Sequence, residues 1–228
     1  VSAPPSARVP APAAPAAGQV RITDEWHVSL EGEVSADGAA AIGVDDLRRF
    51  LSRRLGLRLR PGGTGPGIVF RRAPAAAAAR GATASRWHSS FRLDVCPDRL
   101  LVTGATEVDL LRASLYLSNL WGLQRQACLA PGRRRVRPAV SLHLGADLWG
   151  GFCTTQAWVH GRESDTNFLE LARVGVNAFP VMTVLEDYIE GAPAPFELLT
   201  NPRAAANLDR LAKLARQSAR YGVYVFLM

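Results

Sequence analysis

The stretch Leu211–Met228 reads LAKLARQSARYGVYVFLM, and its order of residue types decides how the second half of the chain is built. Ala205, Leu208, Leu211, Leu214 and Ala215 recur on one face, so the segment from about Pro202 is an amphipathic helix. Gly222 stops it, because a residue without a Cβ enters the left-handed conformation that closes a helix end. The next segment, VYVFLM (Val223–Met228), is apolar at every position, as a strand is when both of its faces are covered. The same order occurs one unit earlier in FLELARVGVNAFPVM (Phe168–Met182): a helix to Val174, Gly175, and an apolar strand over Val176–Val181. Ahead of both lies AVSLHL (Ala139–Leu144), another short apolar run. Strand, helix, strand, helix, strand predicts parallel βα units.

Moving outward toward the N-terminus, Phe91, Leu93 and Val95 alternate with Arg92 and Asp94, Pro97-Asp98 turns the chain, and Leu100–Val102 returns. This is a hairpin. Thr106 is placed to N-cap the helix marked by Val108, Leu111, Leu115 and Leu120, which runs to about Trp121. Farther upstream, Val20–Val34 reads as one or two strands and Ser35–Gly38 as a turn. From Val44, the spacing of Leu47, Phe50, Leu51 and Leu55 predicts a helix, with Asp45 and Asp46 in its first turn and Arg53 and Arg54 in its last, where each charge suits the helix dipole. Gly56 ends it, and Ile68–Phe70 is another strand. Strands, helix, strand, hairpin, helix predicts an antiparallel sheet with helices on one face, an α+β layer domain.

Composition excludes several functions. No apolar run in the 228 residues approaches the roughly 20 needed to cross a bilayer, so no membrane partner is expected. The net charge of +7 would suit polyanions, but it is nearly all arginine, and its densest run (Arg133, Arg134, Arg135, Arg137) falls where a linker is expected. Neither an aromatic-interleaved sheet nor a recognition-helix pattern accompanies it, so no nucleic-acid partner is expected. Cys96, Cys128 and Cys153 form no C-x-x-C pair and read as buried thiols. His27, His88, His143 and His160 lack metal-ligand spacing, so no metal and no cofactor is expected. The Pro/Ala-rich residues 1–18 read as a disordered tail, of a kind that comes after a cleaved export signal and points to a secreted or periplasmic protein.

Two stretches carry a family resemblance. FRLDVCPDRLLVTGATEVDLLRASLYLSNLW (Phe91–Trp121) resembles the hairpin and helix of the non-catalytic N-terminal domain shared by β-N-acetylhexosaminidases and α-glucuronidases, with Leu93, Val95, Leu101 and Gly104 at matching positions. Phe168–Met182 and Leu211–Met228 resemble barrel units of the same glycoside hydrolases, and the turns Gly175-Val176-Asn177 and Tyr221-Gly222-Val223 are more similar to the α-glucuronidase branch. The resemblance implies an α+β domain over 19–130, an Arg-rich linker over 131–138, and the first three βα units of a (β/α)8 TIM-type barrel over 139–228, truncated before closure. It implies a carbohydrate substrate and hydrolysis of O-glycosyl bonds by the full-length enzyme.

Glycoside cleavage needs two carboxyl groups flanking the scissile bond. In these families they lie on the fourth strand and later, so no catalytic residue is assigned in this chain, which alone is expected to be inactive. Asp147, Trp149 and Trp158 come after the first barrel strand and Glu186-Asp187 after the second, where carboxylates and aromatic rings would line a sugar pocket. These are the candidate substrate-binding residues. The alternative is a non-enzymatic carbohydrate-binding or interaction module. The sequence specifies neither the sugar nor the oligomeric state.

Overall fold

Alternation in the hairpin becomes a two-sided sheet in the computed structural model, which describes residues 17–74, 90–139, 142–144, 165–181, 188 and 201–227. Strands β1 (Val20–Arg21), β2 (His27–Glu31), β3 (Arg60–Pro61) and β4 (Gly67–Arg72) surround helix α1 (Ala39–Leu55) in the chain. The hairpin β5 (Phe91–Cys96) and β6 (Arg99–Gly104) leads into α2 (Glu107–Gln124), β7 (Cys128–Leu129) and β8 (Gly132–Val136). Then come α3 (Asp165–Arg173), β9 (Ala178–Val181), α4 (Ala204–Ala219) and β10 (Tyr224–Leu227). The result is a mixed α/β structure. Among the described residues, no helix is long and apolar enough to cross a membrane.

The main sheet has six strands in the order β3-β2-β4-β6-β5-β8, and it corrects the expectation of an antiparallel sheet. Strands β2, β4 and β6 run parallel to one another, and β5 lies antiparallel between β6 and β8. The physical reason lies in the connection. A helical crossover such as α1 carries the chain back to the end of the sheet it started from, which makes the strands it joins parallel. Strand β1 stays outside this sheet and pairs with β7.

A second correction concerns the expected Arg-rich linker. Gly132–Val136 is the edge strand β8, antiparallel to β5. Arg133 Nε donates to Asp94 Oδ2 at 2.9 Å and Arg135 Nη2 to Ser90 Oγ at 3.2 Å, so two of these arginines are tied to the neighbouring strand and its entry. Charged side chains on an edge also discourage pairing with another chain. The thiol expectation holds for Cys128, which is buried, and less for Cys96, which is half-buried. Cys153 lies outside the described residues.

Both helices are longer than their spacing suggested. Helix α1 begins at Ala39 with Gly38 as its N-cap, so Asp45 and Asp46 sit in its middle rather than its first turn. The alanine run Ala39–Ala41, a strong helix former, accounts for the early start. Helix α2 begins where expected: Thr106 Oγ1 accepts from Asp109 N at 3.1 Å while Asp109 Oδ2 accepts from Thr106 N at 2.8 Å, a reciprocal capping box.

One face of the sheet packs on α1 and α2. Ile68, Phe70, Leu93, Leu100 and Val102 from the strands meet Leu47, Leu51, Leu110, Leu117 and Trp121 from the helices, all fully buried. The helices approach closely at Gly43, where a Cβ would stand 2.9 Å from Leu111 Cα. Their opposite face packs on the βα segment: Ala39, Leu111 and Leu115 meet Phe168, Leu171, Val176, Tyr221 and Val223. Helices α1 and α2 are therefore a middle layer between a sheet and a parallel βα segment.

Candidate functional site

Two ends of the parallel segment have to be distinguished. Strand β10 pairs with β9 in parallel, and Leu144 forms a parallel bridge with Ala178 of β9. The order in space, Leu144 then β9 then β10, matches the order in the chain. Asn177 stitches the first two together, since its Oδ1 accepts from His143 N at 2.7 Å and its own N donates to His143 O at 3.1 Å. Parallel strands share a C-terminal end. The candidate residues Asp147, Trp149, Trp158, Glu186 and Asp187 all lie outside the described residues, and the structure brings none of them into view. It does define the strand ends to which their segments connect, at Leu144 and Val181.

The N-terminal ends of β9 and β10 are built alike. Gly175 N donates to Ala172 O and Val176 N to Leu171 O, while Gly222 N donates to Ala219 O and Val223 N to Ser218 O. Each is a Schellman turn with its glycine at positive φ, +88° and +65°. At the second, a side chain would also be impossible for lack of room, because a Cβ on Gly222 would stand 2.4 Å from Val108 Cγ1 of α2.

One arginine of α2 grips both turns. Arg112 Nη1 donates to Ala172 O, and its Nη2 donates to Val176 O at 2.7 Å and Gly222 O at 3.1 Å. A guanidinium suits this task because its rigid fork reaches several acceptors at once. Burial disfavours its charge and lowers its pKa to about 10, with a small opposing effect of Tyr224, so it remains charged at neutral pH. Sequence spacing did not single it out. The available signal was that Arg112 is the only basic residue in α2.

Beside this junction, α1, α2 and α3 enclose a groove of about 720 Å³. Its α3 wall carries Arg173, whose Nη2 donates to Asp46 Oδ1 at 2.8 Å and whose Nε bridges to Glu170 Oε2 at 3.2 Å. Burial works against the charge of Arg173, but the hydrogen bond and charge of Asp46, and after them those of Glu170, outweigh it and raise its pKa above the usual value. Asp46 is itself buried, which explains why it belongs mid-helix, facing α3, rather than in a first turn. From α2, Asn119 Nδ2 donates to Arg173 O at 3.0 Å. The α1 wall presents Arg49, Arg53 and Arg54. Among the described residues, no group of three or more His, Cys, Asp or Glu side chains could hold a metal ion.

No protein-family model matches the chain, and no curated protein matches it either. Solved structures match it in fold. A GH138 enzyme targeting pectin rhamnogalacturonan II superposes with a TM-score of 0.63 at 13% identity, over 89% of this chain and 24% of its own. The GH20 β-N-acetylhexosaminidase from Streptomyces coelicolor A3(2) does so with a TM-score of 0.54 at 16% identity, over 94% of this chain and 44% of its own. BtGH115A, a GH115 4-O-methyl-α-glucuronidase, reaches 0.49 at 15% identity over 90% of this chain, too low a score to support the α-glucuronidase branch. At these identities the likeness is one of fold. The resemblance read from Phe91–Trp121, Phe168–Met182 and Leu211–Met228 holds at that level: the chain has the fold of part of a glycoside hydrolase. It spans less than half the length of each of these structures.

Proposed function

We propose that these residues are the opening part of a glycoside hydrolase, an α+β domain that extends from residue 19 through the edge strand β8 to Val136, continued from Ala139 by the first three βα units of a (β/α)8 barrel. The observation that carries the proposal is the strand arrangement. Leu144, β9 and β10 are parallel and adjacent in chain order, as consecutive strands of such a barrel are. In this reading, the three-layer unit built on α1 and α2 is a buttress. It grips the turns leading into β9 and β10, the barrel face that serves stability, and leaves the C-terminal strand ends free for chemistry.

That polarity dictates the chemistry. Glycosidic bond cleavage requires one carboxyl group to protonate the leaving oxygen and a second to attack or to activate water. We assign both to strands after β10 in a longer polypeptide. From this chain, Trp149 and Trp158 would stack on a sugar ring, while Asp147, Glu186 and Asp187 would accept hydrogen bonds from its hydroxyls. The substrate is a carbohydrate, and the reaction is hydrolysis of an O-glycosyl bond.

The test is the product of the reading frame continued past Met228. It is expected to hydrolyse an aryl glycoside, with N-acetylhexosaminides and glucuronides as first substrates, while residues 1–228 alone give no turnover. Trp149→Ala and Glu186→Gln in the longer protein should raise KM more than they lower kcat. Saturable sugar binding without turnover by the longer protein would favour a binding module. Carboxylate-dependent turnover by residues 1–228 would overturn the assignment of catalysis to later strands.

A further inference from the structure

The groove between α1, α2 and α3 lies away from the strand ends to which the catalytic reading assigns the substrate, and the charges that its described residues bring to it do not balance. Among the described residues its acidic side chains are Asp46 and Glu170, both engaged by Arg173 at 2.8 and 3.2 Å. Arg49 has a partner on its own helix, Asp45 at 3.0 Å, and half of its side chain remains exposed. Arg53 and Arg54 are exposed on the rim. Neither makes a salt bridge or side-chain hydrogen bond among the described residues. Favourable placement in the last turn of α1 explains one positive charge near the helix end. It does not explain why the cations border a concave space.

The groove also offers an apolar side. Phe50 faces Gly122 across the helix pair, where a Cβ on the glycine would lie 3.6 Å from the ring. Leu123, the next residue of α2, is 86% exposed, the most exposed of the large apolar side chains among the described residues. Arg53 and Arg54 both line this space, Arg53 beside Arg49 on one helix face and Arg54 one position further round the last turn of α1. The cleft of about 720 Å³, within the range of small-ligand sites, thus suits a ligand with negative charge toward the arginines and an apolar face toward Phe50 and Leu123.

We infer that this groove binds a carboxylate-bearing oligosaccharide, with Arg53 and Arg54 holding sugar carboxylates and with Phe50 and Leu123 meeting the ring faces. The anionic chemistry stands on the groove alone. The choice of a saccharide rests on the glycoside-hydrolase reading. The groove would then be a second sugar-binding place, holding a charged polymer at the rear of the domain while the strand ends work on it. Guanidinium groups bind carboxylates through paired hydrogen bonds, which gives such a site selectivity for acidic over neutral sugars.

Calorimetric titration of residues 1–228 with trigalacturonate decides the matter, with neutral chitotriose, sodium sulfate and a short single-stranded oligonucleotide as parallel probes. Saturable binding of trigalacturonate is expected, weakening as salt is raised, with no binding of chitotriose. The double variant Arg53→Gln/Arg54→Gln should lose affinity by about tenfold or more, as removal of charge-assisted hydrogen bonds implies. Arg133→Gln/Arg135→Gln, on the far edge of the sheet, should bind as the parent does. Both variants alter exposed residues, and an unchanged thermal melt verifies their folding. Absence of trigalacturonate binding, or binding unaffected by the Arg53/Arg54 change, overturns the proposal. Equal affinity for sulfate or the oligonucleotide also overturns it, as a generic anion surface. Failure of the longer protein to cleave any glycoside, with trigalacturonate binding intact, would remove the catalytic reading and leave this one standing.

Discussion

The six-stranded sheet and the parallel βα segment differ in where their cover comes from. The sheet is covered by α1 and α2, which come from the same continuous stretch of chain, and the core between them is closed by side chains of residues 20–136. The parallel segment has no such independence among the described residues. Its Phe168, Leu171, Val176, Tyr221 and Val223 are buried against Ala39, Leu111 and Leu115, with Ile42 and Val108 beside them, all from the middle layer. Helix α2 is therefore used twice, and its composition reflects that. A helix apolar nearly all round has to be buried on more than one side. The lesson is a direction of dependence: the parallel segment relies on the sheet unit's helices, whereas the sheet needs only their other face.

The severest way to test this dependence is to damage the sheet core itself. Trp121 is fully buried and its Nε1 donates to Cys128 O at 3.2 Å. Trp121→Ala should cost about 3–5 kcal/mol, and because α2 serves both cores, far-UV and near-UV signals from both regions should be lost in one transition. Separate melting of the two regions would contradict the shared-layer account.

A gentler cut goes through the junction alone. Arg112→Met removes donors from Ala172 O, Val176 O and Gly222 O, and hydrogen bonds to a charged group are each worth about 1.5–3 kcal/mol. Because removing the buried guanidinium also relieves its desolvation, a net loss of about 2–3 kcal/mol is expected, with faster amide hydrogen exchange at Val176 and Val223 and unchanged protection in β4 and β6. Arg112→Lys should restore only part of it, since an ammonium lacks the fork. Uniformly faster exchange would mean that the arginine supports the whole molecule rather than the junction.

Smaller still is the cap of the shared helix. Thr106→Ala deletes the acceptor for Asp109 N and should cost about 1 kcal/mol, read as a shift of the urea midpoint at constant slope. The smallest effect is one of pH. Burial raises the Asp109 carboxyl above its ordinary value, against lowering hydrogen bonds from Thr106, Ser90 and Ala105. The folded state thus holds this proton more tightly than the unfolded state. Its contribution to stability is complete below the unfolded value of 3.8 and is lost as pH rises through the raised one. Asp109→Asn lacks that contribution, so its stability relative to the parent should improve as pH rises from below 3.8 through the raised value. A constant difference across that range would show that the carboxyl is not perturbed.

Much of the fold could be read from the chain because its signals are local. Glycines at 175 and 222, each after a helical run and before an apolar strand, mark the two Schellman turns, and Thr106 marks the start of α2 within a single turn of helix. Parallel pairing of β9 with β10 was expected from strands apolar on both faces. The candidate residues Asp147, Trp149, Trp158, Glu186 and Asp187 rest on the same local logic, their position after apolar strands. The groove was not legible, because it unites Arg53, Leu123 and Glu170 from three separate helices.

By itself, then, the sequence determined the main helices and the longer strands, where most of them stop, and that the second half is a series of parallel units, while the short strands β3 and β7 and the edge strand β8 escaped it. It did so because a periodic apolar face, a cap and a left-handed glycine act on their own neighbours. Only the tertiary structure decided that Gly132–Val136 is an edge strand rather than a linker, that β2, β4 and β6 are parallel, and that Asp46 answers Arg173 rather than the start of its own helix. It also decided that Arg112 holds two distant turns at once. Each of these depends on which remote segment comes to lie alongside, and burial of a charge or pairing of a strand edge acquires its energy only when that partner arrives.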